Sequence, residues 1–197
     1  MQVPFSTLPS TCLVPEDFDP DLTEPIHDIG ILGGSRSEQG VILMPLILPA
    51  LKSRRPEVRI LFQCQPGRQK EEFRSVLKKD GTDGMVSLIT KTGTSTDYFR
   101  RIASCRLLLL PYLPEFYCLG GSGVFNDVST VGRPIIASVQ TSMGRMILSG
   151  IASGMVFRRM DPDRIAEAVC DGLDRIGGVE PGISGLVGAT GSRPKSS

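Results

Sequence analysis

A chain of 197 residues, 40% of them apolar, has the size and composition of one globular domain with a short flank. Its 22 basic and 21 acidic side chains leave a formal charge of +1, which excludes a strong field steering it to nucleic acid or an acidic membrane. Five scattered cysteines (Cys12, Cys64, Cys105, Cys118, Cys170), no Cys-x-x-Cys and one histidine, His27, argue against a zinc site or a disulfide framework and fit a reducing compartment.

Residues 1–27 are rich in Pro, Thr and Asp and read as an irregular lead-in, with one short strand near residues 10–14. No basic segment followed by an apolar one marks a secretory signal. From Asp28 a regular alternation begins. Residues 28–32 form an apolar strand, Gly33-Gly34-Ser35-Arg36 a turn, and 40–54 a helix whose prolines predict a late start near Pro45 or a kink at Pro49. The apolar run 41–51 is too short to span a bilayer and reads as a buried helix. Strand 58–64 precedes helix 69–79, whose Phe73, Val76 and Leu77 make one stripe. Strand 85–90 precedes helix 95–104, with Tyr98, Phe99 and Ile102 inward. Strand 106–110 is a continuous apolar run after Arg106, as expected for a strand covered on both faces. Helix 122–131, strand 134–138, helix 142–148, strand 154–157 and helix 162–176 follow. The last carries Ile165, Ala168, Val169 and Leu173 at helical spacing.

Six strand–helix repeats predict an α/β fold, a Rossmann-like three-layer αβα domain with a parallel sheet of about six strands. The expected organisation is a lead-in over 1–27, one Rossmann-like domain over 28–177, and a flexible Gly-, Ser- and Pro-rich tail over 178–197. In such sheets ligands bind beyond the carboxyl ends of the strands, which directs attention to the turns 33–40, 111–123 and 139–143. The second is the most informative. Gly120-Gly121-Ser122-Gly123 lies between a greasy strand and a helix start, where unpaired N–H groups and the helix dipole favour an anion. A phosphate-bearing ligand, a nucleotide or nucleotide-sugar, is the expectation. Neither the Gly-x-x-x-x-Gly-Lys-Ser/Thr phosphate loop nor the Gly-x-Gly-x-x-Gly fingerprint after the first strand is present.

With these residues in hand, the chain from about Gly30 to Ile176 resembles the C-terminal, donor-binding domain of a GT-B-type retaining glycosyltransferase (glycosyltransferase group 1-like). GGSRSEQG (33–40) looks like the family's turn ending in Lys-Gly, and RPEVRILFQ (55–63) like its second strand with the lead-in. DYFRRIASCRLLLLPY resembles its Tyr-x-x-x-Leu-x-x-Cys-Asp pattern. GSGVFNDVSTVGRPII resembles its Ser-Gly-Val-Phe-x-Glu-Ala segment followed by Gly-x-Pro-Val-Val. The family's fold implies two Rossmann-like domains around a cleft; this sequence supplies one, without the N-terminal acceptor domain.

The resemblance implies that Arg36 reaches the donor diphosphate, and a guanidinium in a Gly-rich turn can grip two phosphate oxygens. The alternative for Arg36 is a solvated loop arginine. Gln39 stands where the family has a phosphate-binding Lys and brings no charge. Gly121, Ser122, Gly123 and Val124 open the helix and would hold the distal phosphate, although Ser122 could simply cap the helix. Asp127 matches the second acid of the family's Glu-x7-Glu pair, which binds the ribose. The first acid falls at Leu119, which cannot serve, and Glu115 nearby is a substitute. Tyr112 and Tyr117 either flank the base or anchor the loop. Arg106 replaces a family Asp and reads as an edge residue or a locally compensated charge. His27 is assigned no role.

The implied function is the donor half of a glycosyltransferase, moving a sugar from a nucleotide diphosphate-sugar to an acceptor. The alternative is a non-catalytic nucleotide-sugar-binding module or a degenerate partner subunit. Expected partners are the donor and an acceptor-domain protein, with no nucleic acid, no transmembrane segment and no cofactor beyond the donor substrate. Expected localisation is the cytoplasm or the inner face of a membrane. A flavodoxin-like or response-regulator-like domain would share the alternation but requires acids clustered after the first strand, which this sequence lacks.

Overall fold

The computed structural model describes residues 13–33, 36–90 and 93–177. Their six strands are β1 (His27–Ile31), β2 (Ile60–Gln63), β3 (Val86–Ile89), β4 (Cys105–Leu110), β5 (Ile135–Ser138) and β6 (Gly154–Phe157). All pairings are parallel, in the order β3-β2-β1-β4-β5-β6. The helices are α1 (Met44–Arg54), α2 (Arg68–Lys79), α3 (Ser95–Ala103), α4 (Pro114–Tyr117), α5 (Gly123–Val131), α6 (Ser142–Leu148) and α7 (Pro162–Gly177). This is the expected α/β architecture. The described part of the lead-in holds a 3-10 turn, Pro20–Leu22, and no strand over 13–26; its last residue, His27, opens β1. The rest of the strand expected near residues 10–14, and the tail over 178–197, lie outside the described residues.

The alternation of side chains along the strands sorts the core into two layers. Leu107 and Leu109 of β4 join Ile29, Phe62 and Ile136 on the face covered by α1, α2 and α7. Leu108 and Leu110 join Leu61 and Ile135 on the face covered by α3, α5 and α6. β4 is central, and its residues 107–110 are wholly buried, which explains its unbroken apolar run. Gly30, between Ile29 and Ile31, faces the second layer. A Cβ there would stand 2.3 Å from Leu108 Cδ1, so only glycine lets β1 and β4 pack at this register.

The helices follow their stripes. Met44, Ile47, Leu48 and Leu51 of α1 are buried at helical spacing. The late start near Pro45 is realised: Val41–Leu43 forms a 3-10 turn, and Pro45 stands in the first helical turn, where no N–H is missed. Phe73 and Leu77 anchor α2, and the Phe73 ring stacks on Phe62 at 4.6 Å. The lead-in is tied down: Phe18 packs on Phe99 at 5.4 Å between ring centres, and Thr96 Oγ1 donates to Asp17 Oδ1 at 2.9 Å. At the amino end of the sheet Arg106 donates to Asp28 at 3.3 Å, and Arg59 holds the other carboxylate oxygen. Of the two readings of Arg106, local compensation is the one realised; β4 is no edge strand. No helix among the described residues is long and apolar enough to cross a membrane.

β1 pairs with both β2 and β4, so the chain reverses its direction of travel across the sheet between β3 and β4. In such sheets ligands bind in the crevice above the carboxyl ends of the strands at this switch point. Here it is bordered by residues 33, 36–40 and 111–123.

Candidate functional site

The first wall of the crevice is the turn after β1. Gly33 has φ of +122°, and its N–H donates to Gln63 Oε1 at 3.3 Å. Residues 34 and 35 lie outside the described set. Ser37–Gln39 makes a 3-10 turn closed by Gly40 at φ +76°, where a Cβ would sit 1.9 Å from the Pro111 carbonyl oxygen. Leu113 N donates to the Glu38 carbonyl at 3.0 Å. The two loops are therefore built against each other.

Gln39 is 7% exposed and turned inward. Its Oε1 accepts from Arg36 N at 3.1 Å and its Nε2 donates to the Tyr112 hydroxyl at 3.4 Å. The amide therefore braces the turn from inside. Tyr112 is 2% exposed, and its ring lies against Tyr117 at 4.5 Å. Burial pushes the Tyr112 phenol up to about 12, against the smaller opposing effect of its hydrogen bond with Ser122. The ring sits inside the wall and offers no open face for a base. Beneath it, a cavity lined by Leu32, Gln39, Leu109 and Tyr112 measures only about 10 Å³. Tyr117 is partly exposed, and its phenol is also raised by burial.

The Arg36 guanidinium projects outward. Its side chain is 64% exposed and pairs with Glu38 at 3.3 Å. Its charge acts on both Tyr112 and Tyr117, which locates it over the same wall.

The second wall is the start of α5. Ser122 has extended backbone, and its Oγ accepts from Phe125 N at 3.2 Å, so it is the N-cap. The Asn126 amide bonds to the Ser122 carbonyl. Helix geometry leaves the amides of Gly123 and Val124 without intrahelical acceptors. No atom stands within 4 Å of where a Cβ would sit at Gly121 or Gly123, so these two positions border open space. A Cβ at Gly33 would lie 3.3 Å from Val124 Cγ2, which brings the β1 turn against the first turn of α5.

Arg36, Gln39, Tyr112, Ser122 and Val124 thus share one end of the crevice, with the open Gly121 and Gly123 at its lip. Asp127 lies one turn into α5 and accepts from Tyr98 Oη of α3 at 3.1 Å. Glu115 is exposed in α4, a turn that the sequence pattern did not reveal. Leu119, where the resemblance puts an acid, is 89% exposed.

Two groups escaped the sequence reading. Tyr98 reads there as a core aromatic, yet its hydroxyl reaches Asp127. Arg145 and Ser142 of α6 reach across to the loop after β4, and nothing in a short helix with one arginine signals this. His27, at the amino end, is far from the crevice, and burial lowers its pKa. Two wider grooves, of about 520 and about 440 Å³, lie beside α7 and the end of β6. Their lining mixes Arg54, Arg159 and Arg164 with Asp163 and Glu167, two pairs of which already neutralise each other.

The doubly wound parallel sheet with its switch point defines a Rossmann-like α/β fold. No family model and no curated protein sequence matches the chain. Solved structures do. WaaG, a glycosyltransferase involved in lipopolysaccharide biosynthesis, is 18% identical with a TM-score of 0.60, over 78% of this chain and 40% of its own. The C-terminal domain of a glycosyl transferase group 1 family protein (LpcC) from Francisella tularensis is 14% identical with a TM-score of 0.56, over 79% and 86%. The catalytic domain of starch synthase IV from Arabidopsis thaliana, bound to ADP and acarbose, is 13% identical with a TM-score of 0.59, over 85% and 34%. The chain spans less than half the length of the first and third. In fold the chain is similar to one Rossmann-like domain of these glycosyltransferases, and to the C-terminal domain of the group 1 protein over most of that domain.

Proposed function

We propose that this chain is the donor-binding half of a glycosyltransferase and binds a nucleotide diphosphate-sugar in the crevice between β1 and β4. One observation carries the reading: the amide-rich lip of α5 is open and stands beside the turn that bears Arg36. Backbone N–H groups at a helix start and a guanidinium make complementary partners for a diphosphate. In the transfer step they stabilise the negative charge that develops on the leaving diphosphate as the sugar–oxygen bond breaks. Asp127, steadied by Tyr98, accepts from the ribose hydroxyls. The acceptor side comes from an acceptor domain outside these residues, and the assembly works in the cytoplasm or at the inner face of a membrane.

A second reading, a binding module without transfer, is favoured by two positions. Gln39 is committed to the wall, and exposed Leu119 occupies the place of an acid.

Thermal unfolding with uridine, guanosine and adenosine diphosphates tests both. Ligand at about 100 times its Kd stabilises the folded state by about 2.7 kcal/mol. That shift is expected with at least one nucleotide and is reduced in Arg36→Ala and Asp127→Ala. No shift with any of the three defeats the donor site. Binding without sugar transfer, once an acceptor domain is supplied, selects the second reading.

A further inference from the structure

The lip that would hold the diphosphate is a weak piece of chain. Three of residues 120–123 are glycine, the residue that loses most freedom on ordering. Nothing stands within 4 Å of the Cβ positions of Gly121 and Gly123. Its order must come from neighbouring groups: Ser122 is held by its cap to Phe125 N and its hydrogen bond with Tyr112, and the residues just before it are held by α6. Ser142 Oγ donates to the Gly120 carbonyl at 2.5 Å. Arg145 Nη2 donates to the Cys118 carbonyl, and its Nη1 to the Gln140 carbonyl at 3.4 Å. Thr141 caps α6 by accepting from Gly144 N at 3.2 Å. A Cβ at Gly144 would lie 2.0 Å from the Ser138 carbonyl oxygen, so α6 is seated directly on the end of β5. Arg145 therefore joins two loops, one leaving β4 and one leaving β5, from a rigid base.

We infer that Arg145 and Ser142 are positioning residues for the diphosphate lip. They hold residues 118–120 so that the amides of 121–124 stay aimed into the crevice, an inference that rests on the donor-site reading above. Arginine suits this task because one planar guanidinium donates to two carbonyls at fixed angles, whereas a lysine is a single flexible donor group. The residues act on affinity through the backbone they hold and touch no ligand themselves.

The test uses the full chain with Arg145→Met, Arg145→Lys and Ser142→Ala. Hydrogen exchange of the unliganded protein reads the clamp, and calorimetric titration with uridine, guanosine and adenosine diphosphates reads its consequence. Arg145→Met is expected to speed exchange at residues 121–124 while leaving the strands as protected as in wild type. It is expected to weaken the bound nucleotide about tenfold, the scale of one lost charge-assisted hydrogen bond. Arg145→Lys recovers part of both effects, and Ser142→Ala shows a smaller version of each. Unchanged exchange at the lip overturns the inference, as does faster exchange with unaltered affinity. If wild type binds none of the three diphosphates, the donor-site reading falls and with it the role in binding.

Discussion

Ser122 serves two purposes in the reading above, and two substitutions pull them apart. Its hydroxyl accepts from Phe125 N at 3.2 Å, and it borders the space proposed for phosphate. Ser122→Ala removes the cap, a change worth about 1 kcal/mol. In an ordered unit of this size that lowers the melting midpoint by about 2–4 °C. Ser122→Asp keeps a capping oxygen and adds about 0.3–1 kcal/mol from the helix dipole, so its midpoint stays at or above wild type. Toward a diphosphate the order inverts. Alanine forfeits one hydrogen bond to a charged oxygen, about 1.5–3 kcal/mol, and affinity drops by about tenfold to a hundredfold. A carboxylate about 4 Å from a phosphate oxygen repels it by about 1 kcal/mol in water and about 4 kcal/mol at the effective dielectric of a protein surface. Ser122→Asp loses the same hydrogen bond and adds this repulsion, so its affinity falls about fivefold to several hundredfold below that of Ser122→Ala. Differential scanning calorimetry gives the first ordering and isothermal titration the second. An Asp variant as unstable as the Ala variant refutes the cap. An Asp variant that binds a diphosphate as tightly as wild type refutes the anion site.

Gly40→Ala and Gly132→Ala both place a side chain at left-handed backbone, φ +76° and +77°, but only Gly40 meets the Pro111 carbonyl. Urea unfolding should show about 1–2 kcal/mol lost for Gly132→Ala, and more than about 4 kcal/mol or failure to fold for Gly40→Ala; equal losses would remove the close approach of the two loops. Burial holds the Tyr112 phenol and the Cys105 thiol up at about 12, above their ordinary 10.0 and 9.0. The unfolded chain therefore releases these protons first. Stability is intact below pH 9 and declines as pH rises toward 12, and Tyr112→Phe abolishes the tyrosine's share of that decline in urea midpoints taken along the series. Tyr98→Phe removes the hydrogen bond to Asp127 and should cost about 0.5–1.5 kcal/mol by the same unfolding assay.

The layered fold was legible because its causes are local. Six apolar strands alternate with helices whose stripes repeat at helical spacing, and each of these elements appears within a few residues of its expected place. Pro45 and Gly132 mark a helix start and stop by their own backbone restrictions. The turns of the crevice were legible as positions, since glycine runs announce them. What the side chains do there was not. Gln39 reads as a polar residue in a loop, yet it is buried, because the Gly40 contact with Pro111 folds the turn inward. Tyr112 likewise reads as a loop aromatic next to a binding site, and lies beneath the surface because it directly continues the buried strand β4. Pairings between distant loops, such as Arg145 with Cys118, depend on how α6 is seated, which no short-range pattern encodes.

The first and last helices of the domain lie side by side. α7 packs on α1 and covers β4, β5 and β6, burying Ile165, Val169 and Leu173 in the same layer as Ile47, Leu48 and Leu51. One core layer is therefore assembled from segments more than a hundred residues apart. During synthesis α1 emerges early with its greasy stripe and waits for the remainder of the chain before its partner exists. Until residue 177 is free of the ribosome, the part of that face under α7 stays wet and prone to wrong associations, so a nascent chain stalled before α7 should be captured by chaperones and one released after it should not.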